Sequence, residues 1–441
     1  MKIETLQEVQ QVTNSLRILC NRPTGLAPTI PVTLLHPILN VFNGDCQSYT
    51  PRTEDYRFAQ ELSTLSRFYS RESERQVAFM DACSKYGLNI EGQSVAGTGY
   101  ATDGSIVHNQ WPCLIVKFKN EIGSTGAEAV FQAAAYYRAY MQRNKSRLNM
   151  KFTFPCIGLY MIGPLMGFFG MVYTTFVNLQ MLGQPVRLDY HKTGDDQWTS
   201  LARHLGALRE AIKKLKALYS EESEMMTQVQ MTSMDAIFYP AYCEFDQFDQ
   251  VKSVEYTSQP FDGKLVFHGK CDGKEVVTKF VKRYSLELHN LCQQNGWAPR
   301  ILGSRDLQGG WTMVVMERLD ESWKMACGYD KTEKLCAEIR KVLVVIHQYN
   351  YVHGDVRDVN IMVKEEGERQ LIKLVDFDWG GKIGETRYPR NVGDCRLVRR
   401  PAGVCDGELV LTDHDMHMLD YMFQDIVLCD SPWWTKKVEY M

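Results

Sequence analysis

No two of the thirteen cysteines are spaced C-x-x-C, and their number is odd. A disulfide framework is therefore not expected, and a reducing, intracellular compartment, cytoplasmic or nuclear, is. The ten histidines show no zinc-ligand spacing. A strong charge of either sign is missing too. The net charge of -3 gives no global attraction to nucleic acid or to an anionic membrane, so a local patch has to carry any such contact. The N-terminal MKIETLQEVQQVTNSLRILC lacks the apolar core of a signal peptide. One long run, Phe152 to Val186, contains no charged residue, but Pro155, Pro164, Gly158, Gly163, Gly167 and Gly170 interrupt it. Two buried strands joined by a Gly-Pro turn are expected there, and no membrane helix. There is no internal repeat and no low-complexity tract.

What is present describes a globular chain of 441 residues, 44% hydrophobic and 23% charged, long enough for two or three domains. Residues 1–52 mix a short helical pattern with a proline-rich segment (Pro23 to Pro37) and read as an N-terminal arm. Residues 53–219 read as a small α/β domain. In it, two helices within Thr53 to Tyr86 precede the strand WPCLIVKFK, the helix AVFQAAAYYRAYMQ and the charge-free strands. A helix from Trp198 to Tyr219 follows, with Leu201, Leu205, Leu208, Ile212 and Leu215 as its apolar stripe. The polar, Met-rich residues 220–234 read as a linker. Residues 235–441 form a second, α+β domain that begins with a hairpin across CDGK (Phe261 to Arg283).

The most informative stretch is Tyr351 to Gly381, YVHGDVRDVNIMV…LIKLVDFDWGG. IMV and LIKLV are apolar runs separated by a charged, glycine-containing turn, which predicts a hairpin. Asp355 and Asn360 precede the first strand and Asp376 follows the second, so the fold gathers all three at one end. A carboxylate to orient a hydroxyl, with an amide and a carboxylate to hold Mg²⁺, is the equipment of phosphoryl transfer. H-x-D-x-x-x-x-N followed by D-F resembles the catalytic and metal loops of a two-lobed protein-kinase-like fold. The resemblance implies ATP and Mg²⁺ as cofactors, Asp355 as the base and Asn360 and Asp376 as metal ligands. Lys279 in VVTKF would then neutralise the nucleotide phosphates, with Glu287 as its partner and Arg357 near the transferring phosphate. Met316, Glu317 and Leu319 resemble the hinge that meets adenine through backbone groups, and they equally fit a buried strand end. Two departures stand out: HGD replaces HRD, and Asp378 takes the place of the D-F-G glycine. No G-x-G-x-x-G is present, so a plain hairpin would have to cover the phosphates.

A second constellation lies earlier. Asp103, Lys119 and the helical pair Gln132 and Tyr136 resemble the PD-(D/E)xK restriction-endonuclease-like fold, in which an Asp and a Glu hold Mg²⁺ and a Lys activates water. Lys117 stands where the second carboxylate belongs, so a degenerate, inactive site is expected, with Glu121 or Glu74 as a substitute ligand if it is active. The acid-free run Arg138 to Lys151 could follow a DNA backbone or be a solvated helix end. A nuclease-like domain joined to HGDVR…LVDFDWGGKIGETRYP and RPAGVCDGELVLTDHD is similar to Crinkler-type proteins and related fungal kinase-like proteins. That resemblance implies an effector or conflict protein that phosphorylates a protein Ser/Thr, itself included, with possible DNA contact through the first domain, no membrane partner and an open oligomeric state. The alternative is a metal-dependent DNA nuclease regulated by a nucleotide-binding kinase-like domain.

Overall fold

The charge-free stretch folds as three sheet strands, one more than expected, and Gly163-Pro164 makes the first turn between them. The computed structural model describes residues 3–225 and 238–424, apart from 29, 96, 98, 124–127, 145–151, 192, 262, 391 and 393–397. Its contacts divide the chain into two units, Met1–Tyr242 with Gln308–Gly310, and Cys243–Leu307 with Trp311–Met441. Among the described residues no helix is long and apolar enough to cross a membrane.

The first unit holds α1 (Ile3–Leu6), α2 (Val32–Leu35), α3 (Pro37–Ser48), α4 (Thr53–Ser63), α5 (Glu72–Lys85), α6 (Ala129–Arg143) and α7 (Asp195–Met225). Its strands are β1 (Ile18–Leu19), β2 (Glu91–Ser94), β3 (Ala101–His108), β4 (Trp111–Lys119), β5 (Cys156–Ile162), β6 (Leu165–Tyr173) and β7 (Val177–Arg187). They form one sheet in the order β1-β7-β6-β5-β4-β3-β2. β4 and β5 run parallel, a pairing that needs a long crossover, and α6 supplies it. Every residue of β4 is buried, its two lysines included, as a strand covered on both faces requires. Residues 1–52 are not a separate arm. β1 pairs with Val177 and Asn178 at the sheet edge, and Leu34, Leu39 and Phe42 are buried in the core. Residues 220–225 continue α7, while 226–234 of the expected linker lie outside the described residues, as do Lys145, Arg147 and Lys151 of the basic run.

In the second unit β8 (Glu244–Gln247), β9 (Gln250–Ser253), β10 (Glu255–Ser258), β11 (Val266–Cys271), β12 (Lys274–Val281), β13 (Ile301–Leu307) and β14 (Trp311–Glu317) make an antiparallel sheet in the order β10-β11-β12-β14-β13-β8-β9. Helix α8 (Leu286–Gln294) follows β12. The remainder is built on α9 (Glu333–Gln348) and α10 (Thr412–Gln424), with β15 (Lys324–Met325) and β17 (Ile361–Glu366) paired beside β18 (Arg369–Leu374), and β16 (Tyr351–Val352) paired with β19 (Gly381–Lys382). Leu335, Ile339, Leu343 and Ile346, one face of α9 at helical spacing, pack with Ile361, Val363, Ile372, Leu374 and Leu419. The hairpin therefore sits on α9 and α10, with its ends held in register.

Candidate active site

β17 and β18 pair from Glu366↔Arg369 to Ile361↔Leu374, and their two-residue loop begins with Gly367 at φ +61. This local closure returns Val375 to Asn360, whose carbonyl accepts the Val375 N–H at 2.9 Å. Asp355, Asn360 and Asp376 thus share one rim. Asn360 donates through Nδ2 to the Asp355 carbonyl at 3.0 Å and to its carboxylate Oδ2 at 2.8 Å. Arg357 donates to the same Oδ2 at 2.5 Å. The other oxygen, Oδ1, accepts from Arg400 at 3.1 Å. Arg400 is buried, with its guanidinium 4.6 Å over the Trp379 ring. Asp355 is thereby fixed by three donors, and Arg400 is a contact that sequence reasoning missed. Its motif, RPAGV, gives no spacing that points back 45 residues.

Asp415 is a second missed residue. It is fully buried at the start of α10 and accepts the backbone N–H of His353 and of Gly354, both at 2.8 Å, and the His347 imidazole at 3.0 Å. The HGD loop hangs from this carboxylate. Gly354 adopts φ +79, and a Cβ there would meet the Trp379 carbonyl oxygen at 2.8 Å. The glycine of HGD is therefore a steric necessity here. Gly354→Ala should lower stability by about 1–3 kcal/mol, read as a shift in urea midpoint. An unchanged midpoint would contradict this account.

Lys279, on β12 opposite Val266 and Val314, reaches across to the same rim. Its Nζ lies 2.7 Å from Asp376 Oδ1 and 2.6 Å from Asp378 Oδ1. Asp376 has φ +68, a conformation uncommon for a non-glycine residue and held here by the surroundings. Between the two carboxylates, Phe377 is fully buried. It stacks on His289 (4.5 Å, 21°) and lies 5.5 Å from His353. His289 bonds the Tyr284 hydroxyl and the Pro299 carbonyl, each at 2.7 Å, and burial pushes its imidazole down to about 4.

Burial raises both aspartates. At Asp376 the charge and hydrogen bond of Lys279 outweigh burial and hold the carboxyl low. At Asp378 burial wins over Lys279, the Asp376 charge adds to it, and the group is pushed up to about 6. The folded state then binds a proton more tightly than the unfolded chain, whose Asp titrates near 3.9. Stability from this group is full below about pH 4 and falls as pH rises to about 6. Asp378→Asn should flatten that fall, and its stability advantage over wild type at pH 7 should vanish below about pH 4. Parallel stability curves for the two proteins across this window would refute the assignment.

Two expected roles are not met in the structure. Glu287 does not reach Lys279. It is exposed on the first turn of α8 and binds Tyr351 Oη at 3.0 Å and Lys382 at 3.3 Å, because the helix buries Leu288, His289 and Cys292 instead. Glu317 spends its N–H on the Arg300 carbonyl and its carboxylate on the Arg300 N–H, both at 2.9 Å. Met316 is a buried strand end, packed with Val281 and Val314. Leu319 lies just beyond the strand, half-buried.

In the first unit Asp103 is already neutralised. Lys117 lies 2.9 Å from its Oδ1, and the Phe118 N–H donates to Oδ2 at 2.8 Å. Lys119 is 3.7 Å from Glu72, whose carboxyl burial pushes up. Glu121, the expected substitute ligand, is held by the fully buried Arg75 at 2.7 Å, and Glu74 is exposed. Tyr136 lies buried on α6 and Gln132 half-buried on it, and burial raises the Tyr136 hydroxyl to about 12. Strand geometry does place Lys117 and Lys119 together, but Asp103, Glu72 and Glu121 each have a cation of the protein's own.

No protein-family model matches the chain. Over 77 residues, 18% of its length, it is 30% identical to the serine/threonine-protein kinase pakA of Dictyostelium discoideum, and it spans 6% of that curated relative. Among solved structures it is similar to vaccinia related kinase 3, at 16% identity and a TM-score of 0.31, over 48% of this chain and 73% of the other. It is also similar to the Cydia pomonella granulovirus kinase PK-1, at 17% identity and a TM-score of 0.29, over 40% of this chain and 67% of the other.

Proposed function

We propose that the second unit is a kinase-like phosphotransferase that moves the γ-phosphoryl group of ATP to a hydroxyl, with a protein Ser/Thr as acceptor. The observation that carries this is the convergence of Lys279, Asp376, Asn360 and Asp355 on one rim, from three separate segments. The donor set fits Mg²⁺. Lys279, Asp376 and Asp378 together carry one excess negative charge, and Asn360, having committed its amide nitrogen to Asp355, has its Oδ1 to offer. Magnesium takes one or two carboxylates and fills the rest of its octahedron with phosphate oxygens and water. When bound it would neutralise phosphate charge as it develops. Asp355 orients the acceptor hydroxyl and takes its proton. Lys279 holds the phosphate oxygens, and Arg357 stands beside Asp355 where the group transfers.

The test is incubation of the purified protein with labelled ATP and Mg²⁺, alone and with a generic protein acceptor. Label in wild type that is lost in Asp376→Ala supports the reading, and equal labelling of both removes it. For the first unit we propose a degenerate nuclease-like domain that binds DNA or a partner without cutting, supported by the Lys117–Asp103 pair. Plasmid DNA should stay intact with Mg²⁺ or Mn²⁺; cleavage that is abolished in Asp103→Ala or Lys119→Ala would restore the nuclease alternative. An effector role of the Crinkler type is the extension of the same reading, supported by the motifs from Tyr351 to Pro389.

A further inference from the structure

A lysine that holds nucleotide phosphates needs a carboxylate to fix its own position, and Glu287 cannot be that group. Its side chain is 64% exposed and tied to Lys382 and Tyr351, where it clamps α8 to the β16/β19 pair. Lys279 instead meets two carboxylates two residues apart, at 2.7 Å and 2.6 Å. Their chemistry divides the labour. A carboxylate that ligates a divalent cation is shared between two positive centres and holds an ammonium less firmly. Asp376 given to a metal would leave Lys279 loosely placed, unless a second carboxylate stays with it.

Asp378 is built to stay. It is separated from Asp376 only by Phe377, whose ring is fully buried and stacked on His289, so both neighbouring residues are anchored by one fixed side chain. We infer that Asp378 is the positioning residue for Lys279, retaining the ammonium when Asp376 turns to a divalent cation, so that the carboxylate that places the phosphate-binding lysine comes from residues 376–378 and not from α8. This rests on the phosphotransfer reading of the same site. On this account α8 acts on the lysine through the His289–Phe377 stack and not through a carboxylate of its own.

The experiment compares wild type, Asp378→Asn, Asp378→Glu and Glu287→Gln in two measurements, initial rates of label transfer at varied ATP and the Kd for Mg·ADP, after circular dichroism has shown each variant folded. Asp378→Asn should raise the ATP KM and the Mg·ADP Kd at least tenfold, with kcat reduced less. Asp378→Glu should recover most of the loss, a rescue that a merely structural role would not give. Glu287→Gln should stay within about twofold of wild type in both. Equal losses in Glu287→Gln and Asp378→Asn, or an unchanged ATP KM in Asp378→Asn, overturn the inference. If wild type binds Mg·ADP without transferring label, the phosphotransfer reading fails while the Kd comparison still decides the role of Asp378. If it binds no nucleotide, both fall.

Discussion

Replacing Asp355 by alanine should lower phosphoryl transfer by roughly 10²–10⁴-fold, the usual contribution of a positioned general base. The loss should fall on kcat, because Asp355 faces the acceptor and makes no contact through which ATP would be held. Nucleotide affinity should stay within about threefold of wild type, which separates this variant from one at Lys279. Folding is the necessary control. Asp355 is buried and receives Arg357, Asn360 and Arg400, so its removal leaves two guanidinium groups without their anion. Asp355→Asn keeps the shape and two acceptor contacts, and it should lose activity to a similar extent with a smaller drop in stability. Transfer at the wild-type rate in a folded Asp355→Asn protein would remove this residue from the mechanism.

The largest stability effect is expected in the first unit. Arg75 is fully buried on α5 and donates to the carbonyls of Leu65 (3.1 Å), Gly163 (3.0 Å) and Arg67 (3.3 Å) and to Glu121 (2.7 Å). Its guanidinium also lies 4.7 Å from the centre of the Tyr69 ring. One planar, five-donor group thus satisfies three backbone acceptors from two segments of the chain, which an ammonium cannot do. Arg75→Ala should cost about 3–5 kcal/mol, the range for breaking a buried charged pair and orphaning its partners. Arg75→Lys should recover little of it. Urea titrations at constant m-value give both numbers. A loss below about 1 kcal/mol in Arg75→Ala would mean that these carbonyls find water or other donors.

The contrast between these two residues shows which parts of the chain could be read in advance. The β17/β18 hairpin is a local object: two apolar runs, one tight turn, and polar residues at fixed offsets from the strand ends. Its closure follows from sequence period alone, and so does the meeting of Asp355, Asn360 and Asp376. Arg75 was not legible, because its partner Gly163 is 88 residues away and nothing in ESERQVAF marks that arginine as different from its neighbours. Glu287 failed for a related reason. The lysine-to-glutamate pairing belongs to a family pattern, whereas the eight residues from Lys279 bring Glu287 to the first, outward-facing turn of α8. β1 was missed because two residues make too short a strand to show a period, and its pairing with Val177 is long-range. In the sequence Asp378 is only a departure from a glycine; that its carboxylate meets Lys279 is a fact of the tertiary fold.

The hanging of the HGD loop from Asp415 has a consequence for when the protein can acquire its chemistry. The two N–H groups that Asp415 accepts belong to residues 62 and 61 positions earlier. Closing a loop of that length is entropically costly and belongs among the slow, non-local steps of folding. A chain emerging from the ribosome could complete its β17/β18 hairpin almost at once and still lack a fixed Asp355 until α10 had been synthesised and docked. The proposed site is thus completed as a late, cooperative event, once the last described helix is in place.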